Sequence, residues 1–128
     1  MTSIELTSEN FMNTVLGEGI TLVDFWAEWC GPCRMFGPIF EEASSLHPDI
    51  RFGKVDTEAQ QQLAAEANIS SIPTLMAFRD GVLLFNQAGA LPAEALEQLI
   101  AALRAVDMDH VRAEIAKEQA EAEGSETH

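Results

Sequence analysis

Trp29-Cys30-Gly31-Pro32-Cys33 follows the apolar run Leu22-Val23-Asp24-Phe25-Trp26, precedes a helical pattern, and holds both cysteines of the chain. A strand that ends in a turn and opens a helix with a Cys-x-x-Cys pair can place one thiol at a helix N-terminus. There, unpaired N–H groups and the helix dipole favour the thiolate. Two intervening residues let the second sulfur reach the first across one helical turn, so the pair can exchange between dithiol and disulfide with little backbone movement. Cys30 is the candidate for attack on a disulfide, and Cys33, one turn in, is the candidate resolving thiol. Pro32 fixes the turn and removes an N–H that helix entry does not need.

Two other readings compete. Zinc needs four ligands, and His47, His110 and His128 form no ligand-spaced cluster with the single Cys pair. A merely structural disulfide fits poorly with the reducing cytosol. The cytosol is the expected compartment because Met1 to Asn10 is polar and acidic, without a basic segment leading into an apolar one, and no apolar run is long enough to span a bilayer.

Working outward, Thr21 to Trp26 is nearly continuous in its apolarity, as a strand buried on both faces should be, and Asp24 interrupts it. Desolvation raises the pKa of a buried unpaired carboxyl, so Asp24 is a candidate proton acceptor for Cys33. Lys54, in a neighbouring strand pattern, is either its counter-charge or a solvated edge lysine.

Downstream of Cys33, Met35, Phe36, Ile39, Phe40, Ala43 and Leu46 recur at helical spacing, with Pro38 placed to kink the helix, which should end near His47-Pro48. Upstream, a short strand over Ile4–Leu6 and a helix from about Ser8 to Leu16 are expected. Ile50 to Asp56 reads as a strand and Glu58 to Ala67 as a helix, so strand and helix alternate to this point. Thr74–Arg79 and Val82–Ala88 are strands separated only by Asp80-Gly81, which predicts an antiparallel hairpin and therefore a mixed sheet. Pro73 reads as a strand-entry proline, trans by default. A helix opened by Leu91-Pro92 keeps one apolar face to about Ala105, through Leu96, Leu99, Ile100 and Leu103.

The 128 residues make one domain of ordinary composition, 47% hydrophobic and 22% charged. After Val106 the helical phase slips. Met108, Val111 and Ile115 form a narrower stripe that docks on the domain or a partner or is simply solvated, and the Glu-rich stretch from Ala120 to His128 is expected to be disordered. The division is thus 1–106 and an acidic extension, 107–128. The net charge of −14 repels phosphate backbones and anionic lipid, so no nucleic-acid or membrane partner is expected.

Val23-Asp24-Phe25-Trp26-Ala27-Glu28-Trp29-Cys30-Gly31-Pro32-Cys33, Ser71-Ile72-Pro73-Thr74 before the hairpin, and Gly89-Ala90-Leu91 before the last domain helix together resemble the thioredoxin family over about residues 3 to 105. The resemblance implies an α/β thioredoxin fold: a five-stranded mixed sheet flanked by four helices, with the helical extension added. It implies a cis bond before Pro73 and a buried Asp24 partnered by Lys54. It also implies a flat partner-binding patch made of Trp29, Gly31, Pro32, Ile72, Pro73, Gly89 and Ala90, with Trp26 packed beneath the site.

The activity it implies is reduction of protein disulfides through Cys30 and Cys33, without a bound cofactor or metal, in a cytoplasmic monomer re-reduced by an NADPH-dependent thioredoxin reductase. Gly31-Pro32 resembles the reducing members. An oxidase or isomerase of the same fold, and a redox-independent binding module using the patch around Trp29, remain the alternatives. Ser70-Ser71 and Ala88 depart from the residues common at those places in the family, which alters the rim of the expected partner surface.

Overall fold

The computed structural model describes residues 3–126. Thr127 and His128, the last residues of the expected disordered end, lie outside them. The elements run β1 (Ile4–Glu5), α1 (Phe11–Val15), β2 (Ile20–Trp26), α2 (Gly31–Leu46), β3 (Arg51–Asp56), α3 (Gln61–Glu66), β4 (Thr74–Arg79), β5 (Val82–Ala88), α4 (Ala93–Ala105) and α5 (Met108–Glu126).

The strands form one sheet in the order β1-β3-β2-β4-β5. β3 lies parallel to β1 and β2, while β4 is antiparallel to β2 and β5, so the sheet is mixed as expected. Asp80 and Gly81 both take positive φ, 52° and 81°, as a two-residue type I′ turn requires.

Alternation along the strands divides the core. Leu22, Phe52 and Leu75 face Phe36 and Phe40 of α2 and Leu96 and Ile100 of α4. Val23, Phe25, Val55 and Met76 face Phe11 and Val15 of α1 and Leu63 of α3. Pro38 lies inside α2.

Two helices are shorter than their sequence patterns. Ahead of α1, the Thr7 N–H donates to Asn10 Oδ1 at 2.7 Å and the Glu9 N–H to Thr7 Oγ1 at 3.2 Å. The first is one of the two bonds of a capping box, while the Thr7 hydroxyl accepts from Glu9 rather than Asn10; both close over a turn, and regular helix begins only at Phe11. Ahead of α3, Asp56 Oδ1 accepts the N–H groups of Glu58 and Ala59 at 2.9 and 3.3 Å, an Asx turn that delays helix entry to Gln61.

α5 differs in the other direction, continuing as helix through Glu126 across residues whose polarity predicts disorder. Ala and Glu, abundant there, are strong helix formers irrespective of burial. Met108 is buried and Val111 and Ile115 are half-buried, whereas the residues from Ala116 to Gly124 are exposed.

Candidate functional site

β2 leaves the sheet at Trp26, and the chain turns through Ala27-Glu28-Trp29 into α2. Cys30 occupies the N-cap position, with its Sγ accepting the N–H of Cys33 at 3.2 Å, and Pro32 lies in the first turn, where its missing donor removes nothing. Cys30 and Cys33 are joined as a disulfide with their Cα atoms 5.2 Å apart, and both are buried against Ala27, Trp26 and Ile72.

Distant segments converge on this pair. Cys30 Sγ lies 3.7 Å from the Ile72 carbonyl oxygen. The Ile72–Pro73 bond is cis, where the residues alone read as trans and the family resemblance pointed to cis. The Pro73 carbonyl in turn accepts the N–H of Gly89 at 2.8 Å, and Gly89 adopts φ +111°, a conformation that favours glycine. Ala90 follows, exposed. Gly31 and Pro32 are exposed beside the disulfide.

Trp29 is 67% exposed, so it is a surface residue despite its size. Its indole Nε1 donates to Glu58 Oε1 at 2.9 Å. Glu58 is held close by Thr57, whose backbone N–H and hydroxyl both donate to the Trp26 carbonyl, at 2.9 and 3.0 Å. The indole borders a depression of about 400 Å³ lined in part by Ala64, Ile69 and Ile72. Ile72 thus links the two features, lining this depression and lying against Cys30 Sγ through its carbonyl.

Asp24 sits at the centre of β2, fully buried, in register with Lys54 on β3 and Leu75 on β4. Neither of its carboxylate oxygens has a hydrogen-bond partner among the described residues. Burial pushes its pKa from 3.8 up to about 7; the Lys54 charge opposes that shift and the Glu41 charge adds to it. Lys54 makes no hydrogen bond to Asp24, and its Nζ lies 4.8 Å from the centre of the Trp26 ring, a cation–π contact.

All the residues singled out by the sequence therefore lie on the β2–α2 turn, the facing loops or the strands behind it. Two carboxylates were not singled out, Glu58 and Glu41. Glu58 bonds to a residue 29 positions away, and Glu41 lies in a helix beside Glu42, so neither carries a local signal. Among the described residues no group of three His, Cys, Asp or Glu side chains is arranged to hold a metal ion, and no helix is long and apolar enough to cross a membrane.

The family model for thioredoxin matches residues 2–102. "Putative thioredoxin 2" of Streptomyces coelicolor is 56% identical over 123 residues, covering 95% of this chain and 92% of that protein. Thioredoxin of Bacillus subtilis is 37% identical over 101 residues, covering 78% and 96%. Among solved structures, that of Malassezia sympodialis thioredoxin superposes with a TM-score of 0.71 at 33% identity, over 82% of this chain and 94% of that one.

Proposed function

The chain belongs to the thioredoxin family and is a protein-disulfide oxidoreductase, and on that premise we propose that it works as a reductant, with Cys30 attacking, Cys33 resolving and Asp24 handling the proton. In the dithiol form the Cys30 thiolate attacks one sulfur of a substrate disulfide, forming a mixed disulfide and releasing the other substrate sulfur as thiolate. Cys33 then gives its proton to Asp24 and attacks Cys30 Sγ, which closes the Cys30–Cys33 disulfide and releases the second substrate thiolate. Two electrons pass to the substrate, and the chain is left in the form described above.

What supports this assignment is the disulfide at the N-terminus of α2, with the Cys33 N–H directed at Cys30 Sγ at 3.2 Å. That N–H and the helix dipole stabilise negative charge on Cys30 once the disulfide opens. Asp24, with a pKa near 7, is basic enough to take a thiol proton and acidic enough to lose it again.

Lys54 moderates that basicity in this reading. The substrate lies across Trp29, Gly31 and Pro32, with its backbone against Ile72-Pro73 and its far side at Gly89-Ala90. The chain acts as a cytoplasmic monomer on disulfide-containing proteins and is recycled by an NADPH-dependent thioredoxin reductase. Residues 1–106 carry the activity and 107–128 form an appendage.

NADPH oxidation coupled to reduction of a model disulfide protein, with a bacterial thioredoxin reductase, tests the reading. Wild type turns over, Cys30→Ser does not, and Cys33→Ser accumulates the mixed disulfide. A folded wild-type chain that consumes no NADPH would sink it.

A further inference from the structure

Beneath the disulfide, on the face of the sheet covered by α2, lies a charge arrangement that the reaction as described does not fully use. Asp24 is fully buried there, and its neighbours on the same face, Leu22, Phe52 and Leu75, belong to the apolar cluster under α2 and α4. Lys54, two residues after Phe52, extends across this face until its Nζ is 3.9 Å from the position a Cβ on Gly37 of α2 would take. The ammonium is thus within ordinary contact range of α2 at Gly37, and it also borders a surface pocket of about 310 Å³ lined by Ser3, Glu5, Trp26 and Asp56.

Glu41 lies four residues after Gly37, one helical turn along the same side of α2. The residue before it, Phe40, is fully buried and stacks edge-on to Phe52 with ring centres 5.1 Å apart, which fixes this turn of the helix against β3. Glu41 Oε1 is buried and accepts no hydrogen bond from any described residue. The charged groups that act on Asp24 are Lys54 from β3 and Glu41 from α2, with the cysteine pair at the head of α2; β4 places Leu75 opposite it.

We propose that Glu41 is a positioning residue for the dithiol–disulfide reaction: its carboxylate, one turn after Gly37 on the side of α2 that Lys54 approaches, offsets the ammonium of Lys54 and keeps Asp24 basic enough to take the Cys33 proton near neutral pH. The inference rests on Asp24 being that acceptor. A lone ammonium next to a buried carboxylate stabilises its ionised form and weakens it as a base, and a second carboxylate restores the balance. The Glu41 charge acts on Asp24 in this sense.

The test compares full-length wild type with Glu41→Gln, Glu41→Asp, Asp24→Asn and the Asp24→Asn/Glu41→Gln double variant. The carboxyl carbon of Asp24, labelled and followed by NMR against pH in the disulfide form, should titrate lower in Glu41→Gln by about half a unit or more. It should return toward the wild-type midpoint in Glu41→Asp, which retains the charge. The rate of mixed-disulfide resolution should shift along the pH axis in the same direction, and the double variant should match Asp24→Asn. An Asp24 midpoint unmoved in folded Glu41→Gln overturns the proposal alone. A pH–rate profile for Asp24→Asn identical to wild type overturns the role of Asp24, and the proposal with it.

Discussion

Asp24 shows how far a single residue type can be interpreted before its surroundings are known. A carboxylate in an apolar strand is conspicuous in the sequence, and burial alone predicts a raised pKa. The absence of an ion pair with Lys54 was not readable, because it depends on which way a long side chain lies over Trp26. The raised pKa has a thermodynamic consequence. The folded chain holds the Asp24 proton up to about pH 7, whereas the unfolded chain releases it near 3.8.

Between those two values the folded state binds the extra proton, so stability falls as pH rises through the window. It is unaffected below pH 4 and levels off above pH 7. Asp24→Asn removes this penalty and should stabilise the disulfide form by about 2–4 kcal/mol above pH 7, with little gain below pH 4. Denaturant melts at pH 3.5 and pH 8 check both the size and the sign; an equal gain at the two pH values would show that the carboxylate's charge is not the cause. Glu58, by contrast, had no signal at the residue scale. It acquires a role only because Thr57 is tied to the Trp26 carbonyl and brings it under the indole.

At the scale of elements, the sequence was clearest where a local rule is strong. Asp80-Gly81 fixed the hairpin, and the apolar spacing after Cys33 fixed α2 to within its first turn. It was least clear at the starts of α1 and α3, where side-chain caps compete with helical bonds over three or four residues. The edge of the sheet adds a packing detail that periodicity alone does not reveal. Gly53 of β3 is buried, and a Cβ built on it would collide with the side chain of Leu6, which is itself fully buried. Leu6 therefore occupies the volume of the missing side chain and covers β3 where β1 is only two residues long.

Gly53→Ala should destabilise the chain by about 1–3 kcal/mol through overpacking. The Leu6→Ala/Gly53→Ala pair should be less destabilised than the sum of the single variants, because each change relieves the other. Urea melts of the four proteins give the coupling directly, and strict additivity would mean that the two side chains do not compete for one space.

At the scale of the whole molecule, the family resemblance implied a five-stranded mixed sheet, but the strand order β1-β3-β2-β4-β5 was not legible, since neither hydrophobic pattern nor turn signals state which strands become neighbours. That order gives the sheet two distinct ends. The disulfide lies beyond the C-terminal end of β2, at Trp26, whereas the N-terminal end, Ile20, is in register with Arg79. The extension attaches at this second end. Arg79 Nη1 donates to the carbonyls of Leu103, Arg104 and Val106 at 2.8, 3.2 and 2.8 Å, which satisfies groups left open where α4 stops. Beyond it Met108 is buried, and Arg112 of α5 reaches Asp80 of the hairpin turn at 3.6 Å, while Asp80 also accepts the Gly19 N–H at 2.8 Å. The match to the Streptomyces protein, over 95% of the chain, necessarily runs into this segment.

The exposed Arg112–Asp80 pair adds little on its own. Burial of Met108 is the larger contribution, about 1.5–3 kcal/mol. Truncation after Val106 keeps every carbonyl that Arg79 binds and removes Met108, so it should lower the melting temperature by about 5 °C or more. Turnover with the reductase should stay within about twofold of wild type, because the segment is anchored at the end of the sheet away from Cys30 and a rate falls tenfold only for each 1.36 kcal/mol of lost transition-state stabilisation. A truncated chain that melts at the wild-type temperature would show that Met108 contributes nothing to the fold, and one that melts lower and also loses turnover would show that the two ends of the sheet are coupled.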